Sequence, residues 1–116
     1  MSEIKKVQNS IIVKPGKDLV ASIVSEFSDE LKQLIQNSPQ EIVIDLEGVD
    51  MVDSLGMGVL IATHNSLTTK NSTLKIINIK PDIYNAFVTM RLNHHFTIEK
   101  ADMGAAKQSA PEKQKD

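Results

Sequence analysis

The chain has 116 residues, of which 41% are hydrophobic, 3% aromatic and 24% charged, with a formal net charge of −2 and no cysteine. That length supports one domain with a single core, which aliphatic residues and Met must fill because rings are scarce. A near-neutral balance without a basic stripe argues against nucleic-acid binding, and zero cysteine removes disulfides, Cys-ligated zinc and thiol catalysis. No apolar run approaches the roughly 18 residues of a membrane span, and no charged-then-apolar leader opens the chain. Membrane insertion and secretion are therefore not expected, and a cytoplasmic location is.

Taken in order, Ile4 to Val7 and Ser10 to Val13 read as short strands joined by a hairpin turn at Gln8-Asn9. Pro15-Gly16 stops the second strand. Asp18 is expected to cap a long helix running to about Asn37. In it Val20, Ile23, Val24, Phe27, Leu31, Leu34 and Ile35 recur at steps of three and four, forming one apolar stripe. Asn37-Ser38-Pro39 ends that helix, because the residue before Pro avoids helical backbone. Ile42-Val43-Ile44-Asp45-Leu46 is a β-branched run with the look of a strand buried on both faces.

A polar link with Gly48 follows, with Val49, Met51 and Val52 expected beneath the turn. Asp53-Ser54 then precedes Leu55-Gly56-Met57-Gly58-Val59-Leu60-Ile61-Ala62, where apolar spacing turns helical. Asp or Ser in that place caps a helix, its side-chain oxygen accepting from first-turn amides that have no partner within the helix. Ser54 should thus lie near the surface at the positive end of the helix dipole. Leu74 to Ile79 reads as another strand. Pro81 opens a helix carrying Ile83, Phe87 and Met90, with Tyr84 and Val88 beside them. Asn93-His94 breaks that helix, and Phe96-Thr97-Ile98 is the last short strand. From Gly104 to Asp116 too little apolar surface remains to offset the entropy of ordering, so a disordered tail is expected after a domain spanning residues 1–103, with a short helix over Met103 to Lys107 as the other reading. The element order gives an α/β fold, a mixed central sheet of about five strands with helices packed against it.

Asp53-Ser54-Leu55-Gly56-Met57-Gly58, after Ile44-Asp45-Leu46 and before Val59-Leu60-Ile61, resembles the D-S-x-G-x-G signature of STAS domains, nearest to bacterial anti-sigma factor antagonists. The resemblance runs more weakly from about Ser10 to about Ile98, and the STAS fold has the arrangement read above. It implies that Ser54 is phosphorylated by a partner kinase. Leu55 stands where many members carry a second hydroxyl, so a second phosphosite there is excluded. The implied partners are a histidine-kinase-like ATPase acting as anti-sigma factor and serine kinase, and a metal-dependent Ser/Thr phosphatase. The chain itself would be substrate and ligand with no cofactor. In related antagonists an acid in the loop before the first helix helps engage the kinase, usually as Gly-x-Leu-Asp. Gly16-Lys17-Asp18-Leu19 places it one residue earlier, which leaves capping as the other reading of Asp18.

Each site residue has a plainer reading beside the functional one. Ser54 could be only a helix cap, stabilising by about 1 kcal/mol and never modified. That case corresponds to a constitutive STAS subunit of a lipid-transport or signalling assembly. Gly56 and Gly58 cost helix stability and need a reason, either tight packing or backbone left bare so that a partner can approach Ser54. Met57 and Ile61 share a helix side with His64, away from Leu55, Val59, Leu60, Thr63 and Leu67. They are either core or, if exposed, an adaptable docking surface, and docking is the expectation. Arg91, His94 and His95 form a small cationic group, and consecutive His side chains rarely converge on one metal. Catalysis is not expected. Ser54 and His64 are separated by roughly 15 Å of helix rise. The G-x-S-x-G elbow and the Walker-type and dinucleotide-binding loops are missing.

Overall fold

In the computed structural model, which describes residues 2–101, the alternation of β-branched runs with amphipathic segments becomes a five-stranded sheet with helices in the crossovers. The elements are β1 (Glu3–Val7), β2 (Ser10–Lys14), α1 (Ala21–Gln36), β3 (Glu41–Asp45), α2 (Ser54–Thr68), β4 (Thr73–Ile79), α3 (Pro81–Thr89), a 3-10 turn (Leu92–His94) and β5 (Thr97–Lys100). Strands lie in the order β1-β2-β3-β4-β5. β1 pairs antiparallel with β2 through the hairpin, and every later neighbour is parallel. The expected tail from Gly104, and the short helix over Met103 to Lys107, lie outside the described residues.

Period-two alternation decides which side of the sheet meets the helices. Ile11, Val13, Ile42, Ile44, Leu74 and Ile76 point into the core with Phe27, Leu31, Leu60, Leu67 and Phe87. The other face presents Ile12, Lys14, Asp45, Lys75 and Ile77, all half-buried. β3 sits in the middle, and Ile42, Val43 and Ile44 are all buried, as its unbroken apolar run requires.

Several boundaries differ from the sequence reading. α1 begins at Ala21 rather than at Asp18, after an N-cap residue, Val20, that supplies no side-chain hydrogen bond. Met51 is 55% exposed, whereas its neighbours Val49 and Val52 are buried. Phe96 belongs to the core rather than to β5, and Leu92 is buried by a turn that no sequence signal announced. Met90 is half exposed at the end of α3, so its helical spacing does not place it in the core.

Because β2, β3 and β4 are parallel, the segments that leave them emerge at one end of the sheet. In open α/β sheets that carboxyl end is where ligands bind. Here it holds the loop before α1, the loop before α2 and Lys80.

Candidate functional site

The site is built from two loops stitched to each other. Leu19 and Val52 form an isolated parallel bridge. Leu19 N–H donates to the Met51 carbonyl at 2.9 Å, and Asp53 N–H donates to the Leu19 carbonyl at 3.1 Å. Leu19 is fully buried and Val52 nearly so, which anchors the stitch on the core. Two aspartates then reach across in opposite directions. Asp18 Oδ1 accepts from Asp50 N–H at 2.8 Å and Met51 N–H at 3.2 Å. Asp53 Oδ2 accepts from Ala21 N–H at 3.0 Å, while its Oδ1 accepts from Gly56 N–H at 2.9 Å.

Asp53 is therefore the N-cap of α2 and also the acceptor for the first amide of α1. Negative charge at a helix N-terminus is favourable, and here one carboxylate serves two. Asp18 does not cap α1, because α1 starts three residues later and the carboxylate turns instead to the loop before α2.

With Asp53 in the cap, Ser54 is the first helical residue rather than the cap itself. Its side chain is exposed. Among the described residues no hydrogen bond holds its hydroxyl. Leu55 beside it is 55% exposed, as is Met51 three residues earlier. Lys80, at the entrance to α3, pairs with Asp50 on the loop before α2. Deeper, Asp45 Oδ1 accepts from Glu47 N–H and from Asn78 Nδ2, both at 2.9 Å, which fixes how the chain leaves β3.

The two glycines separate cleanly. A Cβ on Gly56 would lie 2.4 Å from the Leu19 carbonyl oxygen, so its absence lets α2 close on the loop before α1. Gly58 is exposed, and a Cβ there would meet nothing within 4 Å. Packing therefore accounts for Gly56, and only Gly58 leaves bare backbone open to solvent near Ser54.

Met57 is 7% exposed and belongs to the core, so it is not a docking residue. Ile61 is half-buried and packs against the same cluster. The exposed apolar pair beside Ser54 is Met51 with Leu55. α2 is apolar nearly all round, so spacing alone left open which side turned inward; the loop stitch decides it. His64 lies farther along α2, where its ring stands 5.9 Å from that of His95 and 5.6 Å from that of Phe96. This contact between α2 and the segment before β5 had no local signal. No group of three or more His, Cys, Asp or Glu is placed to hold a metal among the described residues. A hollow of about 450 Å³ lies on the helix-free face over Lys5, Ile12, Lys14, Asp45 and Ile77, not at Ser54. No helix among the described residues is long and apolar enough to cross a membrane.

Comparison with known proteins adds four findings. The profile described as STAS domain matches residues 1–102. The anti-sigma-B factor antagonist of Staphylococcus aureus (strain NCTC 8325 / PS 47) is 29% identical over 75 residues, 65% of this chain and 69% of that protein. Among solved structures, one from Thermotoga maritima has a TM-score of 0.81 at 17% identity, covering 85% of this chain and 86% of that one. The Bacillus cell fate determinant SpoIIAA in its phosphorylated form has a TM-score of 0.68 at 14% identity, covering 84% and 90%.

Proposed function

We propose that this chain, which belongs to the STAS domain family and is related to anti-sigma factor antagonists, works as a partner switch through Ser54. Unphosphorylated, it binds an anti-sigma factor that is also a serine kinase of the histidine-kinase-like ATPase type, and so frees the sigma factor. The kinase transfers the γ-phosphoryl of ATP to Ser54 Oγ. An Oγ–P bond forms, the bond from phosphorus to the β–γ bridging oxygen breaks, ADP leaves, and the hydroxyl proton passes to a base of the kinase. A metal-dependent Ser/Thr phosphatase reverses the modification by hydrolysis. The chain is the substrate and ligand in this cycle and does no catalysis of its own.

The observation that carries this reading is the state of the Ser54 hydroxyl: it is exposed at the first residue of α2, with the capping role already filled by Asp53. A phosphoryl group there adds about −1.5 to −2 charge at a helix N-terminus, where amides favour it, so the domain stays folded. A partner seated on Met51 and Leu55 meets that charge within the apolar patch it must cover, and leaves. Bare backbone at Gly58 lets a kinase approach the hydroxyl closely. The SpoIIAA neighbour solved in a phosphorylated form supports the compatibility of such a fold with a phosphoryl group.

The test is to incubate the protein with ATP and the histidine-kinase-like ATPase encoded nearest its gene, and to map phosphate by mass spectrometry. Phosphate on Ser54, with loss of the complex, is expected. Modification elsewhere, or a Ser54→Asp variant that binds the kinase as tightly as wild type, overturns the reading.

A further inference from the structure

We propose that Asp53 is a positioning residue that carries the modification state of Ser54 into the first turn of α1, an inference that rests on Ser54 being the phosphoacceptor. α1 has no cap of its own. Its N-cap residue is Val20, no acid lies in its first turn, and the amide of Ala21 is met by Asp53 Oδ2 at 3.0 Å from a loop 32 residues away. The same carboxylate holds α2 through Gly56 N–H at 2.9 Å. Both oxygens are thus committed, one to each helix.

A phosphoryl group on the next residue changes the balance in two ways. It offers the first-turn amides of α2 a stronger acceptor than Asp53, and it places like charge against the Asp53 carboxylate. Gly56 N–H has a substitute acceptor in the phosphate. Ala21 N–H has none, because Val20 brings only a hydrocarbon side chain. Displacement of Asp53 is therefore absorbed by α2 and felt by α1. The Leu19–Val52 bridge and the bonds from Asp50 and Met51 N–H to Asp18 are independent of that carboxylate and stay in place. The switch thereby has a second face: a partner resting on the start of α1, at Lys17 to Ser22, senses the state of Ser54 without touching it.

Amide hydrogen exchange followed by NMR reads this directly in the full chain. In Asp53→Asn only one acceptor oxygen remains and an NH2 faces the other amide. Exchange at Ala21 or Gly56 should quicken about fivefold, the factor typical of losing one capping bond, while Asp50 and Met51 keep wild-type rates. Ser54→Asp should quicken Ala21 alone, and Ser54→Asn, equal in size but uncharged, should not. Unchanged Ala21 exchange in Ser54→Asp, or equal effects of Asp and Asn at that position, overturns the proposal. If Asp53→Asn raises every amide alike through general destabilisation, the charge comparison at position 54 still decides. Phosphate mapping fails independently of all this if Ser54 is not the acceptor, so loss of the switch reading and loss of the coupling are told apart.

Discussion

Replacing Gly56 and Gly58 one at a time by Ala is the sharpest check on how the two loops meet. A Cβ at Gly56 lies 2.4 Å from the Leu19 carbonyl oxygen, 3.0 Å from Val52 Cγ1 and 3.1 Å from Leu19 Cβ. The nearest of these is backbone, and that oxygen already accepts from Asp53 N–H at 3.1 Å, so it cannot swing aside as a flexible side chain could. Relief must come from moving α2 off the stitch. Overpacking of this kind costs about 1–3 kcal/mol, against which Ala returns about 0.8–1.0 kcal/mol of helix propensity. Because the 2.4 Å clash is with backbone, the upper part of that range applies, about 2–3 kcal/mol, and Gly56→Ala should lose about 1–2 kcal/mol net. Gly58→Ala meets nothing within 4 Å and should gain up to about 1 kcal/mol. Urea unfolding at constant slope measures both, since a single domain of this size unfolds in one cooperative step. Shifts of the same sign in the two variants, or a Gly56→Ala midpoint equal to wild type, would refute the close-approach argument.

Other expectations follow from the same geometry. Ser54→Ala should leave the urea midpoint within about 0.5 kcal/mol of wild type, because Asp53 and not Ser54 is the cap; a loss near 1 kcal/mol would return the capping role to the serine. Met57→Ala should cost about 2–5 kcal/mol of stability as a core truncation, whereas Leu55→Ser should leave stability nearly unchanged and weaken kinase binding in titration calorimetry. The Glu47 carboxylate accepts a hydrogen bond from Lys14 at 2.8 Å and attracts its charge, raising the ammonium above its ordinary pKa. A group raised on folding contributes its stability below the ordinary lysine range and loses it as pH climbs through the folded value. Glu47→Gln should remove that alkaline loss, which sets in above the ordinary lysine pKa of 10.5, and an NMR titration of the Lys14 Cε shift should show its pKa falling back. The effect is small because the pair is exposed.

How much of this was legible beforehand depends on the range over which each residue is determined. The period of two in Ile11 and Val13, the unbroken apolar run of β3 and the stripe of α1 fixed strands, helix and layer, because burial of a repeating face is a local property of the chain. The D-S-x-G-x-G run placed a serine at the head of a helix for the same reason. Ser54 was found that way, and it is exposed where expected.

The division of labour within that run was not local. Asp and Ser are both good caps, so sequence could not say that Asp53 would take the role and leave Ser54 unbound. Nor could it say that Asp18 would turn from α1 to the amides of Asp50 and Met51. Met51 and Leu55 face outward and Met57 inward because the Leu19–Val52 bridge sets the rotation of α2, and that bridge joins segments more than thirty residues apart. Local pattern determines which segments are helix or strand and which hydroxyl heads a helix. The identity of each carboxylate's partners, and the apolar residues left exposed, are decided only when parallel strands bring two separate loops to the same end of the sheet.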